Sequence, residues 1–250
     1  LNLWFLGSLL VGIGSLPAGW ISDRWSRSGM IAIMFLGLGI SSVLCGLSGN
    51  KLSLFISLSL LGLFCSIYHP AGISWIVNTS KETGRALGFN NIFGGVGIGL
   101  GAFFAGILID QINWQAAFIF PGIISILTGL CLSYHLKSGK ISLTNIKSEQ
   151  FRDNPEKNQM LKIAIIMLVS ITCLSFVYQI LQTSLPKAID IRLSNSLNLS
   201  TSEIGYIVAA IYIVSGLMNY IGGILTDKYS EKVIYAIGII GQGTLLLFIV

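Results

Sequence analysis

The sequence predicts an all-α integral membrane protein, a bundle of about eight transmembrane helices. Three observations predict it: charge is scarce, charge is clustered, and the intervals between clusters are apolar and of helix-spanning length. Apolar residues make up 53% of the chain and charged residues 10%, with a mean hydropathy of +0.80. A soluble domain usually carries about 25% charged residues, because a water-exposed surface needs them. Eight stretches hold no Asp, Glu, Lys or Arg: 1–22, 28–50, 52–80, 86–109, 111–136, 163–186, 204–226 and 233–250. About 20 helical residues cross a hydrocarbon core, so nearly all are long enough and the last is marginal. The alternating ten-residue strands of a spanning barrel do not occur in the pattern. Helices then satisfy the backbone groups within lipid.

The first five spans follow one another through short loops as far as position 136. A polar segment, 137–162, comes next, with six basic residues, three acids and Pro155. It reads as a linker between domains. Two further spans and the marginal last one complete the chain. Twelve of the fifteen Lys and Arg residues fall in alternate loops, among them Arg24, Arg27, Lys81, Arg85, Lys228 and Lys232. The other loops hold only Lys51, Lys187 and Arg192. This asymmetry places the first set in the cytoplasm and the N-terminus outside. The net charge of +5 is therefore topological, and a nucleic-acid partner is not expected. Cys45, Cys65, Cys131 and Cys173 lie inside apolar runs without a C-x-x-C pair, so neither a disulfide framework nor a metal site is expected. Residues 1–16 lack the basic region of a cleavable signal peptide.

One loop occurs twice. Gly19-Trp20-Ile21-Ser22-Asp23-Arg24-Trp25-Ser26 returns as Gly223-Ile224-Leu225-Thr226-Asp227-Lys228-Tyr229-Ser230, offset by 204 residues. Both copies read G-x-x-[ST]-D-[RK]-[WY]-S, both end an apolar run, and both lie in an expected cytoplasmic loop. Internal duplication of a helical bundle, with a site between the halves, is a common transporter design.

Gly19–Arg27 resembles the loop between the second and third helices of the major facilitator superfamily, G-x-L-a-D-r-x-G-r-k. Gly19, Asp23, Arg24 and Arg27 match it, while Ser26 replaces the usual Gly. The second copy, with Gly223, Asp227 and Lys228, is similar to the degenerate loop between helices eight and nine, and Glu231 stands in the place of Arg27. Gly84-Arg85-Ala86-Leu87-Gly88 and Asn113–Phe118 resemble the openings of helices five and six, although Asn113 and Gln115 depart from G-W-R-x-x-F. In this register, 1–136 holds helices two to six of the first half, 137–162 the cytoplasmic linker, and 163–250 helices seven to nine of the second. The resemblance implies two pseudo-symmetric six-helix halves and twelve helices in an intact member. The chain is thus expected to be the middle of a longer one.

The resemblance also implies that the loop of Gly19, Asp23, Arg24 and Arg27 latches the halves on the cytoplasmic side, with Gly223, Asp227 and Lys228 of the second copy and Arg85 as further members of the gating motif. The competing reading is a set of charges that only fixes orientation. In the fourth family helix, Tyr68 and His69 precede Pro70, which removes a helical donor and favours a kink. An ionisable residue inside a membrane is costly and often functional, so His69 is a substrate or proton candidate; the alternative is a neutral imidazole bonded to a neighbouring helix. His69-Pro70-Ala71-Gly72 resembles a segment of fosmidomycin-resistance-like exporters within the superfamily. In the fifth helix, Gly95 with Gly99 and Gly97 with Gly101 have G-x-x-x-G spacing, which permits close helix approach. Asn90 and Asn91 precede this run. Gln179 and Gln182 in the seventh helix share a face with Tyr178, and Tyr212 and Asn219 share one in the eighth. These are candidate solute contacts, with inter-helix hydrogen bonding as the alternative.

No H-E-x-x-H, G-x-S-x-G or P-loop occurs, so no cofactor, ATP hydrolysis or enzymatic reaction is expected. The sequence reads as a secondary active transporter in the plasma membrane, in bacteria the inner membrane. It would move a small solute by alternating access, inward or outward, as a monomer in the lipid bilayer. Protons are the candidate coupling ion. The rival reading is a receptor or sensor of the same fold that binds without transporting.

Overall fold

The computed structural model describes residues 3–140, 157–194 and 201–249. In chain order the helices are α1 (Phe5–Arg24), α2 (Arg27–Gly46), α3 (Lys51–Cys65), a π-helical turn (Tyr68–Ile73), α4 (Ser74–Thr79), α5 (Thr83–Gln111) and α6 (Ala116–Lys137). Then come α7 (Lys157–Ile189), a second π-helical turn (Asp190–Ser194), α8 (Thr201–Lys228) and α9 (Glu231–Ile249). No strand occurs among the described residues. Among the described residues, seven spans are long and apolar enough to cross a membrane, with α3 through α4 forming one of them. The marginal eighth stretch is the 19-residue α9, whose side chains beyond position 244 lie outside the described residues. The linker expected at 137–162 falls largely at 141–156, outside the described residues. α7 begins at Lys157, inside the last part of that segment, and runs on past Pro186 to Ile189.

Local sequence sets the helix starts. Ser26 is extended and caps α2, its Oγ accepting from the Gly29 amide at 3.1 Å. Asn50 and Ser53 form a reciprocal capping box at the start of α3, the Asn50 Oδ1 accepting from the Ser53 amide at 2.8 Å. Asn113 Oδ1 accepts from the Ala116 amide at 2.9 Å and opens α6. The departures Ser26 and Asn113 from the family pattern thus each supply an acceptor for a helix start. Pro70 has no N–H for the helical ladder, and the chain absorbs the break as the π-helical turn between α3 and α4.

Two antiparallel pairs dominate the packing, α2 with α6 and α5 with α8. Small residues let the first pair close: the Ser42 and Ser125 hydroxyls donate across it to the carbonyls of Phe118 and Phe35, each at 2.7 Å. α1 lies along α3, and the core of this half gathers Ala18, Met30, Ile31, Met34, Ile67 and Ala71. A smaller cluster of Ile189, Val208 and Tyr212 joins α7 to α8. Large apolar side chains face outward elsewhere, such as Phe104 on α5 and Leu127 on α6. In water such a surface would be costly; against acyl chains it is not. The charge asymmetry assigns the ends of α1, α4, α6 and α8, which lead into the basic loops, to one side of the membrane, called here the basic end.

Candidate functional site

The two copies of the repeated loop adopt different partners. In the first, Asp23 closes the C-terminal turn of α1 and Arg27 opens α2, so each charge sits at the helix end whose dipole disfavours it. They compensate each other: Arg27 Nη2 donates to Asp23 Oδ1 at 3.1 Å. The Arg27 side chain is 13% exposed, and its Nε and Nη1 have no hydrogen-bond partner. Arg24 lies over the Trp20 ring, 3.9 Å from the centroid. Gly19 sits against Pro70, whose Cβ would lie 3.2 Å from a Cβ added at Gly19. All these contacts stay within the first half.

The second copy reaches across the halves. Asp227, at the C-terminal end of α8, accepts from the Gly84 amide at 2.8 Å and the Arg85 amide at 2.6 Å. Those amides are free donors at the start of α5, where Glu82 provides no side-chain cap. The carboxylate that is misplaced for its own helix is well placed for another. Arg85 completes the contact: its Nε donates to the Tyr220 hydroxyl at 3.3 Å, and its Nη1 pairs with Glu82 at 3.3 Å. The approach demands glycine on both helices, because a Cβ at Gly223 would collide with the Gly84 carbonyl and one at Gly84 would lie 2.5 Å from the Gly223 carbonyl.

From this point the α5–α8 contact continues as an antiparallel seam. Gly88 faces Asn219 and Tyr220, Gly95 faces Tyr212 and Gly216, and Gly99 faces Ala209. Phe103 and Tyr206 close the far end, with ring centroids 5.5 Å apart. Of the two G-x-x-x-G pairs, only Gly95 and Gly99 lie in this seam. Among the described residues, nothing lies within 4 Å of a Cβ added at Gly97 or Gly101. Successive glycines two apart on a helix point about 200° apart, and one stripe can follow only one partner.

Around the π-helical turn, the Tyr68 hydroxyl donates to Asn90 Oδ1 at 2.7 Å and ties the fourth family helix to the fifth. The His69 ring is exposed and stands edge-on to Tyr68 at 5.3 Å. It makes no hydrogen bond among the described residues. Asn91 is exposed one position beyond Asn90. Tyr212 is 9% exposed within the α7–α8 cluster, whereas Asn219 is exposed, so their common helix face does not give them a common environment. Gln179 is exposed on α7, and the side chain of Gln182 lies outside the described residues. Sequence reasoning did not single out Glu82 or Tyr220, and it used Gly84 only for family resemblance. The available signal was an uncapped helix start opposite an aspartate that its own helix disfavours.

A duplicated loop at one end of a helical bundle, with two groups of helices joined by a glycine seam, defines a polytopic membrane protein of two related halves. The chain belongs to the major facilitator superfamily, whose family model matches residues 3–250. It is 25% identical over 248 residues to an MFS-type transporter of Methanocaldococcus jannaschii, covering 94% of this chain and 61% of that protein. It is also 30% identical over 118 residues to a puromycin resistance protein of Streptomyces alboniger, covering 46% of this chain and 22% of that one. A bacterial homologue of the human lysosomal transporter Spinster, solved in an inward-facing and occupied conformation, has the same fold with a TM-score of 0.55 and 20% identity; the match covers 92% of this chain and 54% of that one. The chain spans about three fifths or less of the length of these relatives. None of them is named as a fosmidomycin exporter, so that finer resemblance rests on His69-Pro70-Ala71-Gly72 alone.

Proposed function

We propose that this chain forms the middle of a secondary active transporter that moves a small solute by rocking two helical halves around a site between them. The observation that carries the reading is the bond from Asp227 to the start of α5, which joins the halves at the basic end through few, exposed and reversible contacts. At this end the contact uses a carboxylate, two amides and facing glycines, with Phe89 edge-on to Tyr220 beside them. In this reading the Asp227 contact holds the cytoplasmic side shut, and the Asp23–Arg27 loop is the corresponding element of the first half.

The solute would meet polar groups projecting from the fourth, fifth, seventh and eighth family helices: Tyr68, His69, Asn90, Asn91, Gln179, Gln182, Tyr212 and Asn219. His69 is the candidate for proton exchange, because its ring is exposed and has no fixed hydrogen-bond partner among the described residues. Family membership and the apolar spans support a multi-pass carrier in a membrane, and a monomeric, non-enzymatic protein of a bacterial inner membrane is part of the same proposal.

Reconstitution of the full-length protein in proteoliposomes tests this. Flux of a panel solute that collapses when the pH gradient is dissipated, and that loses its pH dependence in His69→Ala, is the expected result. Saturable binding of a solute with no flux under any gradient would instead identify a receptor of the same fold.

A further inference from the structure

We infer that the basic end of the α5–α8 seam is a binding site for an anionic phospholipid, whose headgroup bridges the two halves. A cleft of about 570 Å³ opens there, lined by Ser80, Lys81, Glu82, Arg85, Ala86, Phe89 and Tyr220. Its chemistry is graded along the helix axis. Lys81 and Arg85 lie at the loop, where the charge pattern of the chain puts the headgroup layer of the basic side. Phe89 and Phe93 follow one and two turns along the same face of α5, about 6 and 12 Å deeper by helical rise. Both rings are open to the surroundings, at 55% and 62% exposure, and they stack edge to face with centroids 5.1 Å apart. A cationic mouth above an exposed apolar track fits an amphiphile with an anionic head, whereas a free solute has no use for the track.

Of the charged side chains lining the cleft, Glu82 pairs only with Arg85 among the described residues, and the nearby Asp227 carboxylate is taken up by the Gly84 and Arg85 amides. Lys81 has no ion pair among the described residues. Arg85 shares Glu82 at 3.3 Å, with both side chains more than half exposed, so that pair is weak and yields readily to a phosphate. The Tyr220 hydroxyl, from the other half, already faces Arg85 and is a further donor. A phosphodiester held by Lys81, Arg85 and Tyr220 therefore touches both α5 and α8. Because it can do so only while the seam is closed at this end, such a lipid would favour the closed contact by mass action. One basic residue near an anionic bilayer surface contributes a preference of about fivefold.

The test uses the full-length protein in nanodiscs containing equal phosphatidylglycerol and phosphatidylcholine, released into native mass spectrometry. Both leaflets are present, so the result does not depend on the orientation of the chain or on whether it transports. The expected result is retained phosphatidylglycerol enriched about fivefold over phosphatidylcholine, with the enrichment lost in Lys81→Gln and unaffected by millimolar free glycerol phosphate. Equal retention of the two lipids would overturn the inference, as would undiminished enrichment in both Lys81→Gln and the charge-reversed Lys81→Glu. Displacement by glycerol phosphate would overturn the lipid assignment and identify a free-anion site.

Discussion

The two copies of one loop, Gly19–Ser26 and Gly223–Ser230, carry nearly the same residues and do different work. The first folds its aspartate back onto Arg27 four positions on; the second extends its aspartate to amides more than 140 positions away. The difference lies in the residue four positions after each aspartate. Where Arg27 stands, the second copy has Glu231, which offers no cation to hold Asp227 at home. Asp227 is then satisfied by the unpaired amides at the start of α5. The copy that keeps the basic residue holds its aspartate in an internal ion pair, and the copy that lacks it places its aspartate on the start of α5.

The largest effect that would break this contrast is steric. Gly223→Ala pushes a methyl into the Gly84 carbonyl, and overpacking of this kind typically costs about 1–3 kcal/mol. Gly19→Ala meets only the edge of Pro70 at 3.2 Å and should cost well under half as much. Thermal melts of the two variants in one detergent check the order, and equal shifts would remove the distinction between the crossings. Asp227→Asn comes next. It keeps the shape but weakens two charge-assisted bonds in an exposed setting, worth about 1.5 kcal/mol together after screening. That is roughly a tenfold shift toward separated α5 and α8 ends, visible as faster hydrogen exchange of the Gly84 and Arg85 amides.

Ser26→Ala is expected to cost about 1 kcal/mol through loss of the α2 cap. It should lower the melting temperature without changing the α5–α8 contact. Asp23→Asn has the smallest expected effect on that contact. The loss stays within the first half, where it takes from the largely buried Arg27 side chain its ion pair with Asp23. A melting shift with unchanged hydrogen exchange at the Gly84 and Arg85 amides is the outcome that keeps the two loops distinct.

Much of this was legible in the residues. Charge spacing marked the spans, Pro70 marked the break in the fourth family helix, and the duplicated loop marked both ends of the central comparison. What was not legible depends on pairing over long separations. Nothing local ties Asp227 to Gly84, because only the folded bundle brings a surplus acceptor and surplus donors together. Likewise the glycine run of α5 offered two candidate stripes, and the choice of Gly95 and Gly99 over Gly97 and Gly101 was made by Ala209 and Gly216 on α8. Tyr212 and Asn219 show the same limit, since a shared helix face says nothing of which part of it a neighbour covers.

The central claim is that Asp227, and not Asp23, holds α5 against α8. The direct measurement is a pulsed electron paramagnetic resonance distance between spin labels at Lys81 and Lys228. It would use full-length protein in which Cys45, Cys65, Cys131 and Cys173 have been replaced. The expected result is a short, narrow distribution in the parent and in Asp23→Asn, and a longer, broader one in Asp227→Asn. A distribution that lengthens in Asp23→Asn while Asp227→Asn leaves it unchanged would contradict the claim.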